Sequence, residues 1–286
     1  MMSIQSVQSS EPGFDLVHLS PTLGTEVLGI DIGGHLDDAT ISYLSNLLVE
    51  RKVIFFRDQG IDVEQHIAFG RRFGEVEIHP FTPNMDNHPE VVCLNNNEEN
   101  PPRINVWHSD VTWRKEPSLG SILRAREVPE VGGDTLFANM EDAYNSLDEA
   151  TKEQIDGLYA IHDNEGFLQG MRSQGASEEK VQKMRELYPP SRHPIVRTHP
   201  VSKKKSIYVN KAFTRSIEGM EAKASQQLLD KLFLTAWIPD HQCRFKWRKN
   251  SFTFWDNRSV QHYAAADYWP AVRKMERVTV IGEKPY

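Results

Sequence analysis

Three residues that can bind one metal ion constrain this chain more than any other feature: His108, Asp110 and His262. On a β-strand, residues i and i+2 point to the same face, so His108 and Asp110 can reach one ion if their segment is extended. The third ligand, His262, must be brought to them by the fold. Two histidines and one carboxylate can hold one face of an Fe(II) ion and leave the opposite face open. The same set with an open position also suits catalytic zinc.

The carboxyl-terminal third of the chain has the alternation typical of β-strands. Apolar and basic side chains alternate over residues 243–248, and residues 251–255 are a second strand candidate. Arg273 and Arg277 share parity in a third candidate, which places them on one side of a strand, roughly 13 Å apart at ~3.3 Å per residue. Two arginines that point into a protein interior need anionic partners. Those partners could be carboxylates of ligands or of salt bridges.

Helical spacing of apolar residues occurs nearer the amino terminus and in the middle of the chain. We expect one helix over residues 36–51, with Asp37 or Asp38 as its N-cap. Asp62 and Gln65 have the spacing of a capping box, which predicts the start of a second helix. A charged, helix-prone middle follows, and a later amphipathic helix is expected at residues 222–237.

Composition favours an ordinary folded protein over a nucleic-acid or membrane protein. The net charge of −7 over 286 residues argues against general affinity for nucleic acid. No apolar run approaches the ~18 residues of a membrane span. Cys93 and Cys243 are the two cysteines of the sequence, too few for a disulfide framework, so we expect a reducing cytoplasm. Residues 1–14 are expected to be a flexible tail.

Ordered motifs surround the three candidate ligands, and together they resemble one known family. The chain is similar to the taurine/2,4-dichlorophenoxyacetate dioxygenase family (TauD/TfdA), and to its taurine dioxygenase branch in particular. The similarity covers nearly the whole chain after about residue 15. The matching stretches are residues 107–113, 132–135, 197–201 and 255–277, with weaker similarity at residues 23–26, 73–75 and 79–80.

The resemblance implies a mainly β fold with helical additions. The core would be a double-stranded β-helix, or jelly roll, wrapped by helices. We therefore expect a single dioxygenase domain over residues 15–286, with a helical insertion at about residues 139–240. The strand alternation of the carboxyl-terminal third is consistent with this fold.

The resemblance also implies a role for each matching residue near the metal. His108, Asp110 and His262 match the iron ligands of the family. Arg273 follows His262 at the spacing of the arginine that binds the distal carboxylate of 2-oxoglutarate. Thr135 matches the threonine whose hydroxyl assists that arginine. The implied cofactors are Fe(II), 2-oxoglutarate as cosubstrate, and O2.

The substrate end of the pocket matches the family only in part. Arg277 and His79 match the residues that meet the anionic group of the substrate, and Phe213 aligns with an aromatic wall. Thr82 stands where taurine dioxygenase has a tyrosine, and an Asp-Asn pair is replaced by Arg103 and Ile104. Because these changes remove the partners of the taurine amine, we expect a bulkier or less polar anion than taurine. The predicted pocket residues are His79, Thr82, Arg103, Ile104, Phe213 and Arg277.

The implied function is hydroxylation of a small anionic organic substrate, such as a sulfonate, sulfate ester or carboxylate. A product hydroxylated beside a leaving group can collapse to an aldehyde and release sulfite or another leaving group. Two alternatives remain: a zinc-dependent hydrolase that uses the same three ligands, and a catalytically silent jelly-roll binding protein. We expect no nucleic-acid or membrane partner, and a homo-oligomer, either a dimer or a tetramer.

Overall fold

The computed structural model describes residues 13–286, so the predicted tail at residues 1–14 lies almost entirely outside the described residues. The described residues form a mostly β structure with helices attached. The strands are β1 (Asp15–His18), β2 (Thr25–Leu28), β3 (Val53–Phe56), β4 (Asn84–Met85), β5 (His88–Asn96), β6 (Ser118–Glu127), β7 (Thr135–Asn139), β8 (Tyr159–His162), β9 (Ser191–Pro194), β10 (Val196–Thr198), β11 (Lys205–Ile207), β12 (Thr214–Ile217), β13 (Gln242–Phe245), β14 (Phe252–Asp256), β15 (Val260–Ala264) and β16 (Arg273–Ile281). The α-helices are α1 (Asp38–Arg51), α2 (Val63–Arg71), α3 (Met140–Asn145), α4 (Glu149–Ile155), α5 (Glu165–Ser173), α6 (Glu178–Leu187) and α7 (Ala222–Phe233), and short 3-10 helices span Leu234–Trp237 and Pro239–His241.

In the described part of the chain, the main sheet contains eight strands in the order β1-β2-β3-β14-β6-β16-β5-β4. β2 and β3 are parallel, whereas the other neighbouring strands are antiparallel. Every residue of β14 is buried, because β3 and β6 flank the strand and apolar clusters cover both of its faces. The strands predicted near residues 251–255 and from Arg273 onward are confirmed as β14 and β16.

A smaller sheet, in the order β13-β7-β15, packs against the main one. Phe55 of β3 stacks on Phe245 of β13 with ring centroids 4.1 Å apart, and Phe137 of β7 meets Trp255 of β14 at 5.7 Å. The alternation predicted over residues 243–248 is confirmed, since the apolar members are buried and the basic members are exposed. Burial of one face of each strand thus fixes the position of β13 and β7 over the main sheet.

Helices α1 and α2 begin at the predicted caps and cover the outer face of the main sheet. Asp37, rather than Asp38, caps α1 by accepting a hydrogen bond from the Thr40 main-chain N–H. Asp62 and Gln65 exchange both hydrogen bonds of a capping box at the start of α2. The apolar sides of both helices pack with residues of β3, β6 and β14 in one buried cluster.

The segment over residues 139–240 contains strands as well as the expected helices. β8 lies between β12 and β9 in a small sheet, and β10 pairs with β11. These strands are three or four residues long, too short for their alternation to be recognised in a charged sequence. The predicted amphipathic helix is confirmed as α7, whose leucines are buried. Within residues 13–286, no helix is long and apolar enough to cross a membrane.

Candidate metal and cosubstrate site

The three predicted metal ligands meet beside β15. His262 lies on this strand, and His108 forms an antiparallel bridge with it through two main-chain hydrogen bonds of 3.1 and 2.8 Å. Each of His108, Asp110 and His262 offers a ligand atom, and these atoms lie within 4.8 Å of one another. All three side chains are buried. The donor set and its spacing therefore fit one divalent cation.

The histidines are neutral and have nitrogen lone pairs available. His108 Nδ1 lies 2.7 Å from the Val106 carbonyl oxygen, which can only accept, so Nδ1 carries the proton and Nε2 is free to bind a cation. Burial lowers the pKa of His108, and burial together with the neighbouring His108 lowers the pKa of His262 to about 3. A metal ion therefore does not have to displace a proton from either ring at neutral pH.

Asp110 is fixed on both carboxylate oxygens. Ser121 Oγ donates to Oδ2 at 2.7 Å, and Arg277 Nη1 donates to Oδ1 at 2.7 Å. Burial alone would raise the pKa of Asp110, but the charge of Arg277 holds it below its usual value. The carboxylate is therefore ionised, as a metal ligand must be. Arg277, which the sequence analysis predicts to bind the substrate, therefore also contacts Asp110, a candidate metal ligand.

Asn257 organises the residues behind Asp110, and the sequence analysis gave it no role. Its Oδ1 accepts hydrogen bonds from the Asp110 main-chain N–H at 3.1 Å and from Trp255 Nε1 at 2.9 Å. Its Nδ2 donates to the hydroxyls of Ser118 and Ser121 at 2.8 and 3.0 Å. The turn after β14 and the strand β6 thereby orient the carboxylate together. Asn257 lies within residues 255–277, one of the stretches that resemble the family, and this was the only sign in the sequence of its role.

Arg273 is a buried cation without a carboxylate partner among the described residues. The residue is 5% exposed. Burial lowers the pKa of its guanidinium, although an arginine stays protonated at neutral pH. Nε donates to the Gly133 carbonyl oxygen at 3.1 Å, while Nη2 is buried and makes no hydrogen bond within residues 13–286. The rings of Trp247 and Tyr268 each lie 5.9 Å from the guanidinium carbon. A buried, unsatisfied guanidinium favours an anionic ligand.

Thr135 lies in the same part of the protein as Arg273. Its hydroxyl is buried at the start of β7 and accepts a hydrogen bond of 2.9 Å from Trp247 Nε1. Because the Trp247 ring also faces Arg273, this tryptophan links the two residues. The threonine hydroxyl keeps its own proton to donate. Trp247, which the sequence analysis placed only as a buried strand residue, therefore positions both.

His79, which the sequence analysis predicts at the substrate end of the site, is buried and accepts several hydrogen bonds. Its Nδ1 accepts hydrogen bonds from the main-chain N–H groups of Phe81 and Thr82, at 3.2 and 3.0 Å, and contacts the Thr82 hydroxyl at 2.7 Å. Burial, reinforced by the charge of Arg277, lowers the pKa of His79 to about 3. His79 thus contacts Thr82, and the charge of Arg277 acts on its ring.

Aromatic side chains form a wall between His79 and the metal ligands. Phe213 lies at the edge of the His108 ring, 6.2 Å between centroids. Phe167 of α5 stacks on both Phe213 and Phe81, with centroids 6.0 and 5.2 Å away, and lies 5.5 Å from His79. Phe167 was missed from the sequence, because its position on a short helix in the charged middle gave no sign of this contact.

Arg103 and Ile104 lie apart from this buried group. Both are on an exposed, irregular segment that precedes the metal ligands, and Ile104 retains 46% of its accessible surface. Within residues 13–286, Arg103 makes no hydrogen bond or ion pair. Their assignment to the substrate pocket remains a prediction.

Comparisons with known proteins agree with this geometry. The family described as "Taurine catabolism dioxygenase TauD, TfdA family" matches residues 15–279. An alkylsulfatase from Acinetobacter baylyi is 34% identical over 283 residues, covering 97% of this chain and 88% of the relative. An alpha-ketoglutarate-dependent sulfate ester dioxygenase from Pseudomonas putida is 33% identical over 276 residues, covering 95% and 90%. The crystal structure of a taurine dioxygenase from Burkholderia xenovorans superposes with a TM-score of 0.82 at 32% identity, covering 96% and 91%.

The chain belongs to the TauD/TfdA family. It is an oxidoreductase of the dioxygenase class that depends on Fe(II), 2-oxoglutarate (α-ketoglutarate) and O2.

Proposed function

We propose that this dioxygenase oxidises an organic sulfate ester or sulfonate. His108, Asp110 and His262 hold the Fe(II) ion in this proposal. Arg273 binds the distal carboxylate of 2-oxoglutarate, with Thr135 as a second donor. One observation carries these assignments: the buried Arg273 has no carboxylate partner within residues 13–286, and the same protein contains a buried His2Asp set. A zinc hydrolase would leave Arg273 without a ligand, so that alternative is not favoured.

The protein residues orient the reactants and exclude water. Bound Fe(II) would let O2 act as the oxidant and 2-oxoglutarate as the two-electron co-reductant, so that one oxygen atom converts C–H to C–OH and the other enters succinate as CO2 is released. Ser121 and Arg277 fix the Asp110 carboxylate, so this residue would be held in one orientation to bind the metal. Phe213 and Phe167 cover the substrate side with apolar surface, which keeps water from the reacting carbon. Arg277 and His79 hold the acidic group of the substrate and thereby position that carbon.

Two arguments support this substrate class. Arg277 and His79 would bind the acidic group of the substrate, and two relatives are named an alkylsulfatase and a sulfate ester dioxygenase. Taurine should be a poor substrate, because Thr82, Arg103 and Ile104 replace the residues that would meet its amine. A carboxylate such as an aryloxyalkanoate is a second candidate. Another relative, from a Burkholderia species, is named an alpha-ketoglutarate-dependent 2,4-dichlorophenoxyacetate dioxygenase.

The experiment is a substrate panel in which succinate release is measured. Anaerobically purified protein is loaded with Fe(II), supplied with 2-oxoglutarate, and exposed to O2 with alkyl sulfates, alkyl and aryl sulfonates, aryloxyalkanoates or taurine. We expect succinate release coupled to at least one sulfate ester or sulfonate, with kcat/KM well above that for taurine. His108→Ala is the control, and it should abolish turnover and weaken Fe(II) binding. Preference for taurine, or near-normal activity of His108→Ala, would overturn the proposal.

The finer structural predictions belong to the same proposal. We propose that the two facing sheets form the double-stranded β-helix and that residues 15–286 act as one domain. Support comes from the antiparallel strands of the smaller sheet lying over β3, β14 and β16. We also propose that the protein is cytoplasmic, in keeping with the unpaired Cys93 and Cys243. We further propose that it is a dimer or a tetramer. Light scattering of the purified protein tests the oligomeric state.

A further inference from the structure

The hydrogen bonds around His79 determine which ring nitrogen carries the proton. The Phe81 and Thr82 main-chain N–H groups both point at Nδ1, and a main-chain N–H can only donate. Nδ1 must therefore present its lone pair, and the proton lies on Nε2. The Thr82 hydroxyl, 2.7 Å away, adds a third donor to the same nitrogen. Within residues 13–286, Nε2 makes no hydrogen bond, so its N–H is left for a ligand.

The same turn prevents His79 from becoming a cation. A second proton on Nδ1 would face two donating N–H groups at about 3 Å. The side chain is 3% exposed, and the rings of Phe81, Trp113 and Phe167 surround it. The charged groups that act on it are Arg277, Arg114 and Asp110, of which the two arginines oppose protonation. Burial and these two arginines lower the pKa of His79 to about 3.

The neighbouring charges are already largely balanced. Arg277 donates to the Asp110 carboxylate at 2.7 Å, and Arg114 pairs with the buried Glu77 at 2.8 Å. Arg277 Nε is buried and makes no hydrogen bond within the described part of the chain. An incoming acidic group therefore meets one guanidinium that is shared with Asp110, and one neutral N–H from His79.

We propose that the turn over residues 79–82, by holding His79 as a neutral Nε2–H donor, makes this pocket select a singly charged acidic group and reject a doubly charged one. This inference rests on the proposed function, in which His79 and Arg277 bind the acidic group of the substrate. Sulfate monoesters and sulfonates carry one negative charge at all physiological pH values. A phosphate monoester has a similar tetrahedral shape but carries about −1.5 to −2 at pH 7. Its second charge would be buried without a partner, which is costly.

The test compares two ligands that differ mainly in charge, hexyl sulfate and hexyl phosphate. Binding to the protein loaded with Fe(II) and 2-oxoglutarate is measured by calorimetry without O2, at pH 7.5 and pH 5.5. Hexyl sulfate should bind with the same affinity, within about two-fold, at both pH values. Hexyl phosphate should bind weakly at pH 7.5 and about twenty-fold more tightly at pH 5.5, because its monoanion becomes the main species below a pKa of about 6.

Two variants of His79 connect this selectivity to the ring. His79→Gln keeps a neutral N–H donor that cannot acquire a charge, so it should retain hexyl sulfate binding within a few-fold and the preference for sulfate over phosphate. His79→Ala removes the donor and should weaken hexyl sulfate binding by about ten-fold or more, in line with the loss of a hydrogen bond to a charged group. Arg277 is less suitable for this purpose, because its replacement also disturbs Asp110.

The outcomes separate this inference from the proposed function. Selective binding of hexyl sulfate, without succinate release from any sulfate ester or sulfonate of the panel, would remove the proposed function and leave the inference standing. The inference is overturned if hexyl sulfate affinity rises ten-fold between pH 7.5 and 5.5, since His79 would then be acquiring a charge. Equal binding of hexyl phosphate at pH 7.5, loss of selectivity in His79→Gln, or binding of neither ligand would overturn it as well.

Discussion

Arg273 and Arg277 lie on the same strand, β16, but their surroundings differ. Arg277 has a carboxylate partner in Asp110, whereas Arg273 donates only to the Gly133 carbonyl oxygen among the described residues. Replacing Arg277 would therefore change the metal ligand and the substrate pocket together. Arg273 can be replaced without breaking an ion pair, so its replacement isolates the interaction with the cosubstrate.

Arg273→Ala should raise the KM for 2-oxoglutarate far more than the KM for the organic substrate. Loss of a buried contact to a charged group costs about 2–5 kcal/mol, equivalent to roughly thirty-fold or more in affinity. Steady-state kinetics with each substrate varied in turn measures the two constants. Arg124→Ala is the control for loss of a buried arginine of the main sheet, because Arg124 pairs with Glu276 at 3.7 Å and has no part in the proposed cosubstrate site. An unchanged KM for 2-oxoglutarate in Arg273→Ala would make this arginine a structural residue.

The turn before β7 shapes the position of Arg273. Gly132 and Gly133 have φ values of 82° and 72°, in the left-handed region that favours glycine. A Cβ on Gly133 would lie 3.3 Å from Arg273 Cδ and 3.2 Å from the Tyr268 ring. The turn therefore brings a main-chain carbonyl close to the guanidinium because residue 133 has no side chain.

Gly133→Ala should impair cosubstrate binding, whereas Gly157→Ala should not. Both glycines have φ near +70°, so each substitution costs about 1–2 kcal/mol of backbone strain. A Cβ on Gly157 meets nothing within 4 Å, so this control carries the strain without crowding. Thermal unfolding should show similar losses of stability for the two variants. Only Gly133→Ala should raise the KM for 2-oxoglutarate, and a rise of equal size in both variants would exclude the crowding argument.

The molecule as a whole should be destabilised by mild acid. Among residues 13–286, six buried histidines have a pKa below the ordinary value of 6.5: His66, His79, His108, His162, His193 and His262. The unfolded chain takes up protons near pH 6.5 that these folded rings accept only at lower pH. Their contribution to stability is therefore full above pH 6.5 and is lost as the pH falls toward the folded pKa values. Each ring contributes a slope of at most about 1.4 kcal/mol per pH unit.

Urea unfolding between pH 7.5 and 5, with a chelator present, measures this slope. We expect the free energy of unfolding to fall steadily as the pH decreases. Because glutamine does not titrate, His79→Gln should remove the uptake of roughly one proton on unfolding, which lowers the slope by at most about 1.4 kcal/mol per pH unit. Constant stability over this range would contradict the buried neutral state of these histidines.

Local sequence patterns predicted the parts of this molecule that local physics determines. The Asp62 and Gln65 capping box, the alternation around β13 and the parity of Arg273 and Arg277 all follow from neighbours in the chain. The hydrogen bond between the Asn257 amide and the Ser121 hydroxyl could not be predicted, because it depends on the register of β14 against β6. The same limit applies to Phe167 and to the proton on His79, which depend on loop conformation.

The hydrogen bond from Ser109 Oγ to the Val260 carbonyl oxygen joins segments 151 residues apart in the chain. Together with the bridge between the two histidine-bearing segments, it brings the ligands together by protein contacts alone. A nascent chain lacks the second histidine until residue 262 has been synthesised, so the three ligands cannot meet before that point. The folded chain then selects its metal from whatever the cell supplies. Since nickel, copper and zinc ions bind such nitrogen and oxygen ligands more tightly than Fe(II), iron loading depends on the availability of each metal and not on affinity.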